Sequence, residues 1–149
     1  MQTSDRRTIL AVDDDWYILL ALDRQLSRAG YRVVTVANGR EALEYAFEQR
    51  VDAILLDVQM PGALDGFSLA AALRENPKTA RTPIIFVTGV ADERFKQRCR
   101  EAGGEYFICK PYDDNLLIRL LSSIFARDEL GEVNRISQAK RRQPVGGRK

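Results

Sequence analysis

Five polar residues stand directly behind short apolar runs, where side chains at the ends of buried strands could do chemistry. They are three carboxylates, a hydroxyl and an ammonium group: Asp13, Asp14, Asp57, Thr88 and Lys110. Three carboxylates brought to one place repel each other, and a bound cation removes that repulsion. Oxygen ligands in a small site favour Mg²⁺ (or Mn²⁺) over zinc. These residue types therefore predict a divalent-cation site, provided that the fold brings them together.

The chemistry of such a site would be phosphoryl transfer. Asp14 and Asp57 are the candidates for direct metal ligands, and Asp13 would act directly or through a water molecule. The backbone carbonyl of Gln59, in the loop that follows, is a further candidate ligand. A carboxylate can attack phosphorus in line and form an aspartyl phosphate. The Lys110 ammonium and the hydroxyl of Thr88 would then neutralise the transferring oxygens beside the cation.

The elements that must position these residues follow from the hydrophobic pattern. Five apolar segments alternate with five helical patterns, which is typical of a parallel sheet built from βαβ units. Most of these segments are unbroken apolar runs, as expected for strands that are covered on both faces. The strand candidates are Thr8–Val12, Arg32–Ala37, Ala53–Leu56, Pro83–Val87 and Tyr106–Cys109.

The predicted fold class is α/β, a single doubly wound (βα)5 parallel sheet with strand order 2-1-3-4-5. Ligands of such sheets bind at the carboxyl ends of the strands, where the strand order reverses. Strand two ends without a chemically active residue, and it would be an edge strand away from that crevice. Capping residues support the helices between the strands, namely Asn38 and Asp92 as N-caps and Gly30 at a C-terminus.

Composition sets the limits of the chain. We expect a disordered N-terminus over residues 1–7, one domain over 8–128 and a basic flexible tail or linker over 129–149. The net charge is +2, with six basic residues and no acids from Arg135 onward, so the first 134 residues carry −4. A mildly acidic body argues against direct DNA binding by this chain. Neither a membrane span nor a signal peptide is evident, which predicts a cytoplasmic protein.

The polar motifs, taken in order, resemble those of response-regulator receiver domains of two-component signalling systems, the CheY-like family. The resemblance covers roughly Thr8 to Arg127. Any one motif is weakly specific, but the full series in register is strongly specific. The motifs are Val12-Asp13-Asp14-Asp15, Leu56-Asp57-Val58-Gln59-Met60-Pro61, Asp65-Gly66, Val87-Thr88-Gly89 and Ile108-Cys109-Lys110-Pro111.

The resemblance implies a role for each matching residue. Asp57 would be the phosphoacceptor, and Asp13 and Asp14 would belong to the acidic metal site. Thr88 would contact the phosphoryl group through its hydroxyl, and Lys110 would pair with it. The Lys110–Pro111 peptide bond would be cis. Phe107 would be the aromatic switch residue, which turns inward when Thr88 moves toward the phosphoryl group.

The resemblance also implies partners. The phosphoryl donor would be a sensor histidine kinase or a His-phosphotransfer protein, and histidine is absent from this chain. The chain would be a phosphoacceptor signalling domain and not an enzyme, with autophosphorylation from small donors and autodephosphorylation expected. A downstream protein target would bind the face formed by helix four, strand five and helix five. The chain would act as an adaptor or as the regulatory domain of a larger protein, with a homodimer as an open alternative.

Two departures and two alternative functions stay open at this stage. The loop Gly62-Ala63-Leu64 is one residue longer than usual for the family, and bulky Trp16 stands near the site. An aspartate-nucleophile phosphatase would use Asp13 as the nucleophile and Asp15 as the general acid, but would leave the motif at Asp57 unexplained. A nucleotide- or flavin-binding protein is less favoured, because the sequence has no phosphate-binding glycine motif.

Overall fold

A computed structural model of the protein describes residues 6–59, 65–89 and 92–129. Strands and helices alternate along the chain, and the described residues fall into two compact units divided after Asp114. The strands are β1 (Thr8–Val12), β2 (Arg32–Val36), β3 (Ala53–Asp57), β4 (Ile84–Thr88) and β5 (Tyr106–Cys109). The helices are α1 (Trp16–Arg28), α2 (Gly39–Glu48), α3 (Gly66–Glu75), α4 (Glu93–Glu101) and α5 (Asp114–Glu129).

The five strands form one parallel sheet in the order β2-β1-β3-β4-β5. This order confirms the predicted fold class and places β2 at an edge. The strand order reverses beside β1, whose neighbours are β2 on one side and β3 on the other. The carboxyl ends of β1 and β3 are therefore adjacent, at the place where open α/β sheets bind their ligands.

The three central strands are buried along their whole length, which explains their unbroken apolar sequences. Alternate residues of β1, β3 and β4, such as Leu10, Ile54 and Phe86, form one cluster with apolar side chains of α2, α3 and α4. The remaining positions on these strands, such as Ile9 and Leu55, are equally buried. A strand with both faces covered has no polar side to alternate with the apolar one.

Polar side chains begin the helices as the sequence predicts. Asn38 accepts a hydrogen bond from the backbone N–H of Glu41 at 2.9 Å, and Asp92 accepts one from Phe95 at 2.9 Å. Gly30 has a φ of 99°, a left-handed conformation in which glycine is the favoured residue after a helix. None of the described helices is long and apolar enough to cross a membrane.

Two strands extend one residue beyond their predicted ends. Asp57 was expected to follow β3 and Thr88 to follow β4, but each is the last residue of its strand. Asp57 is in register with Val87, and Thr88 is in register with Cys109, so the strand pairing includes both polar residues. The paired backbone holds these two side chains more firmly than a loop would.

A half-buried cation connects the loops at the opposite end of the sheet. Arg74, near the end of α3, is half-buried. No carboxylate in the part of the chain that the structure describes accepts a hydrogen bond from it. Its guanidinium donates to four backbone carbonyls, those of Gly103 (2.9 Å), Thr79 (3.3 Å), Ala80 (3.3 Å) and Thr82 (2.7 Å). These contacts join the turn after α4 to the loop before β4.

Candidate functional site

Three carboxylates meet at the carboxyl ends of β1 and β3. Asp13 and Asp57 are 3% and 6% exposed, whereas Asp14 is exposed to solvent. Each of the three offers a carboxylate oxygen, and these oxygens lie within 4.8 Å of one another. β1 and β3 pair in register up to Val12 and Leu56, so the residues that follow are neighbours. The acids that the sequence singled out thus converge on one small volume.

Asp13 is the acid for which burial has the clearest electrostatic effect. Desolvation by burial raises the pKa of the Asp13 carboxyl above its ordinary value, and the charge of Asp57 acts in the same direction. A hydrogen bond from the backbone N–H of Asp15 (2.9 Å) and the charge of Lys110 oppose the rise in pKa. Negative charge is therefore concentrated here beyond what the protein itself neutralises, which is the condition under which a cation binds.

Lys110 provides the one ammonium group in contact with this cluster among the described residues. Its Nζ lies 3.6 Å from Oδ2 of Asp13 and 3.9 Å from Oδ2 of Asp57. The backbone N–H of Lys110 donates to the carbonyl of Thr88 at 2.6 Å, which ties the end of β5 to the end of β4. The peptide bond between Lys110 and Pro111 is cis.

Thr88 and Gln59 complete the group of residues expected at this edge. Thr88, 2% exposed, lines a cleft of about 230 Å³ together with Gln59 and side chains from the beginnings of α3 and α4. The backbone N–H of Gln59 donates to Oδ1 of Asp57 at 3.1 Å, which orients the carboxylate. The role of the Gln59 carbonyl as a metal ligand stays a prediction. The loop Gly62-Ala63-Leu64 lies outside the described residues.

Phe107 faces outward. Its side chain is 40% exposed on β5, and its ring lies against Phe95 of α4 at a centroid distance of 5.8 Å. The ammonium of Lys96 lies 5.7 Å from the centre of the same ring. Because a core side chain would be buried, Phe107 is not part of the core in this conformation.

The alternative role for Asp15 does not fit the geometry. Its side chain is the N-cap of α1 and accepts the backbone N–H of Tyr17 at 2.9 Å. A carboxylate engaged as a helix cap is not positioned as the general acid that a phosphatase would require. Trp16, the first residue of α1, is 65% exposed beside the acidic cluster.

The sequence analysis assigned no role to two residues that shape the site. Gly66 begins α3, and a Cβ atom there would lie 2.6 Å from the carbonyl oxygen of Asp57. Tyr112 is half-buried, and burial, followed by the charges of Asp114 and Asp13, raises the pKa of its hydroxyl to about 12. The Asp-Gly pair and the aromatic residue behind Lys-Pro were the available signals, although neither shows by itself what it contacts.

Comparison with known proteins agrees with this geometry. The family model of the response regulator receiver domain matches residues 9–122. The chain belongs to this family. Receiver domains bind Mg²⁺ at an acidic pocket and interact with histidine kinases and downstream effectors in two-component systems. They are signalling domains and not enzymes in the ordinary sense.

Curated relatives of this receiver domain are longer proteins. The transcriptional regulatory protein AfsQ1 of Streptomyces coelicolor is 34% identical over 122 residues, which are 82% of this chain and 52% of that protein. PrrA of Mycobacterium tuberculosis is 38% identical over 104 residues, which are 70% of this chain and 43% of that protein. The chain thus spans about half the length of the curated relatives it matches.

Solved structures of receiver domains share the fold. Chemotaxis protein CheY4 of Vibrio cholerae has a TM-score of 0.76 and 35% identity, covering 79% of this receiver domain chain and 98% of that structure. The receiver domain of the sensor histidine kinase PA1611 from Pseudomonas aeruginosa has a TM-score of 0.73 and 35% identity, with coverages of 79% and 96%. That structure contains a magnesium ion coordinated in the active-site cleft.

Proposed function

We propose that this receiver domain accepts a phosphoryl group on Asp57 and reports the event to a protein partner. The observation that carries the proposal is the contact of Lys110 with a buried carboxylate at the end of β3, 3.9 Å away. β3 is paired with β4, so Thr88 approaches the phosphoryl position from the neighbouring strand. Asp13 follows β1, which is one strand farther from β4 than β3 is, and this favours Asp57 as the acceptor.

The acidic cluster fits a magnesium ion. Its donors are all oxygens, and two of the three carboxylates are buried where only one ammonium is described beside them. Asp13, Asp14 and Asp57 would hold the ion, with the Gln59 carbonyl as a further ligand and Mn²⁺ as an alternative metal. A bound Mg²⁺ neutralises charge on phosphoryl oxygens. The PA1611 receiver domain, with magnesium in its cleft, supports this assignment.

Each residue of the site would have a separate role in phosphoryl transfer. An Asp57 carboxylate oxygen forms a bond to phosphorus while the bond from phosphorus to the donor's histidine nitrogen breaks, and the electron pair stays with that nitrogen. The hydrogen bond from Gln59 N–H orients the nucleophile. Lys110 and Thr88 contact the other phosphoryl oxygens, which bear the charge in the transition state. Later attack of water on phosphorus restores the carboxylate and releases inorganic phosphate.

The partners follow from the chemistry. The chain contains no histidine, so a phosphohistidine donor would lie outside these 149 residues, on a sensor histidine kinase or a His-phosphotransfer protein. Trp16 and Tyr17 are 65% and 75% exposed on α1 beside the acidic cluster, and such aromatic side chains suit a docking surface for that donor. Small phosphodonors would also phosphorylate Asp57, and the chain would dephosphorylate itself.

The output would reach a downstream protein through α4, β5 and α5, with Thr88 and the aromatic residue Phe107 as the switch residues. Because relatives such as AfsQ1 are longer transcriptional regulators, the chain is best interpreted as an adaptor or as the regulatory domain of a larger protein. Direct DNA contact by these residues is not part of the proposal, and a homodimer is compatible with it. Two free cysteines, Cys99 and Cys109, are consistent with the cytoplasm.

Mass spectrometry after treatment with acetyl phosphate and Mg²⁺ tests the proposal. We expect a phosphoryl group on Asp57, none in Asp57→Asn, and normal labelling in Asp23→Asn, which changes an exposed acid of α1. Fluorescence of Trp16, the only tryptophan, should change when Mg²⁺ and then beryllofluoride, a phosphoryl mimic, are added. A label on Asp13, or a beryllofluoride response that survives Asp57→Asn, would contradict the assignment.

A further inference from the structure

Helix α4 is held by few buried side chains. Of its nine residues only Phe95 and Cys99 are buried, and the others are polar or charged. An element with so little buried apolar surface opens or shifts at low cost in free energy. The contacts that it makes through aromatic rings therefore account for a large part of what holds it in place.

Phe95 joins α4 to rings on both sides. It lies edge-on to Phe107 of β5, with centroids 5.8 Å apart and planes at 79°, and edge-on to Phe67 of α3, at 5.8 Å and 61°. Phe67 in turn contacts the fully buried ring of Phe86 at 5.3 Å. The α3 side of this series reaches the core, whereas the β5 side ends at an exposed ring. The exposed end is the one free to move.

A cation reinforces each of these two contacts. Arg98 lies 4.2 Å from the centre of the Phe67 ring, and Lys96 lies 5.7 Å from the centre of the Phe107 ring. The Lys96 ammonium is also 3.5 Å from a carboxylate oxygen of Glu93, one turn earlier in the helix. The pairing with Glu93 restrains Lys96 near the ring without covering the ring face.

We propose that Phe95 and Lys96 form a latch that holds Phe107 in its outward position, so that helix α4 sets the resting population of the switch. The inference rests on the proposed function, because it assumes that Phe107 leaves this position when Asp57 is phosphorylated. When the ring turns inward, the edge of Phe95 and the ammonium of Lys96 both lose their partner. Of these ring contacts, α4 then keeps those with Phe67 on the α3 side.

The latch has a measurable consequence for ligand binding. If the inward state binds a phosphoryl mimic better, the apparent affinity is the affinity of the inward state multiplied by the fraction of molecules in that state. The latch lowers this fraction and therefore lowers the apparent affinity. Removing an exposed cation–π contact should raise that fraction, and the apparent affinity, about two- to fivefold. Loss of a positive charge by itself would weaken the binding of an anion, so the two effects have opposite signs.

The test uses the full chain labelled with 4-fluorophenylalanine at position 107 and titrated with beryllofluoride at saturating Mg²⁺. Lys96→Gln should bind beryllofluoride about two- to fivefold tighter than the unmodified protein. Its fluorine resonance without ligand should lie closer to the ligand-bound position. Phe95→Leu should change both readouts in the same direction. Arg100→Gln is the matched control, because its side chain is bonded to Gln97 and not to the ring.

The outcomes separate the latch from the proposed function. Equal or weaker affinity of Lys96→Gln relative to Arg100→Gln, with a normal response of the unmodified protein, overturns the latch alone. A fluorine resonance at position 107 that does not move on saturation overturns it as well. If the unmodified protein does not bind beryllofluoride, or if Asp57→Asn binds it unchanged, both the proposed function and the latch are contradicted.

Discussion

Substitution of Gly66 by alanine tests how tightly α3 is packed against the candidate phosphoacceptor. The added Cβ would lie 2.6 Å from the carbonyl oxygen of Asp57 and 2.6 Å from the Cα of Val58. Both neighbours are backbone atoms, so no side chain can rotate away to make room. Ordinary contact begins at 3.4 Å, and relief therefore requires a relative shift of about 0.8 Å between α3 and the end of β3.

Two opposing effects determine the change in stability. Overpacking of this kind costs about 1–3 kcal/mol. Alanine in place of glycine recovers about 0.5–1 kcal/mol of backbone entropy in a helix. We expect Gly66→Ala to lower the free energy of unfolding by about 1 kcal/mol, the difference between the middles of these two ranges. A displacement approaching 1 Å at a reacting group lowers rates by up to about a hundredfold, so phosphorylation should slow by one to two orders of magnitude.

Urea unfolding and phosphorylation by acetyl phosphate measure the two effects separately. Gly89→Ala is the matched control, because a Cβ there would meet no heavy atom within 4 Å in the part of the chain that the structure describes, its chain neighbours aside. It should leave the stability within about 0.5 kcal/mol of the unmodified protein. The reasoning is refuted if Gly66→Ala is as stable and as readily phosphorylated as the unmodified protein, or if Gly89→Ala loses as much.

Four further predictions concern buried charge and thiols. Arg74→Met should lower the free energy of unfolding by about 2–3 kcal/mol, because it removes charged hydrogen bonds to partly buried backbone carbonyls. Exposed Arg24→Met should have little effect in the same urea titration. Asp13→Asn should raise the thermal unfolding midpoint measured by calorimetry without Mg²⁺, and it should reduce the increase in that midpoint when Mg²⁺ is added. An undiminished increase would contradict the argument that the clustered carboxylates repel each other. Burial raises the pKa of the Cys99 thiol from 9.0 to about 11, so Cys109 should react with a thiol reagent at pH 8 while Cys99 reacts only on unfolding. The stability that the neutral Cys99 thiol contributes should be present below pH 9 and lost as the pH rises through 11, and a urea midpoint that stays constant over that range would disprove it.

The sheet could be predicted because the unbroken apolar runs in the sequence indicate which strands are buried. An uninterrupted run such as Ile84–Val87 has no polar side, which requires cover on both faces and hence helices between parallel strands. Strand ends were less predictable. Asp57 and Thr88 look like loop residues in the sequence, yet backbone pairing with the neighbouring strand continues through both.

The sequence predicted which residues belong to the candidate site, but it did not predict the contacts and charge interactions among them. Asp13, Asp57 and Lys110 could be selected by type and position alone, since parallel strands all end at the same edge. The hydrogen bond that commits Asp15 to the helix cap depends on local backbone geometry, which the sequence merely suggests. The packing of the exposed Phe107 ring against Phe95 and Lys96 of the preceding helix α4 is likewise not specified by the sequence pattern.

The sequence alone therefore determined which residues could act and at which edge of which sheet, because hydrophobic periodicity and strand-end position are local properties of the chain. Only the tertiary structure decided which atoms meet. The distance from Lys110 to Asp57, the approach of Gly66 to the backbone of β3 and the ring contact of Phe95 with Phe107 all join separate elements. Such contacts depend on how helices and strands pack in three dimensions, and no spacing along the chain encodes them.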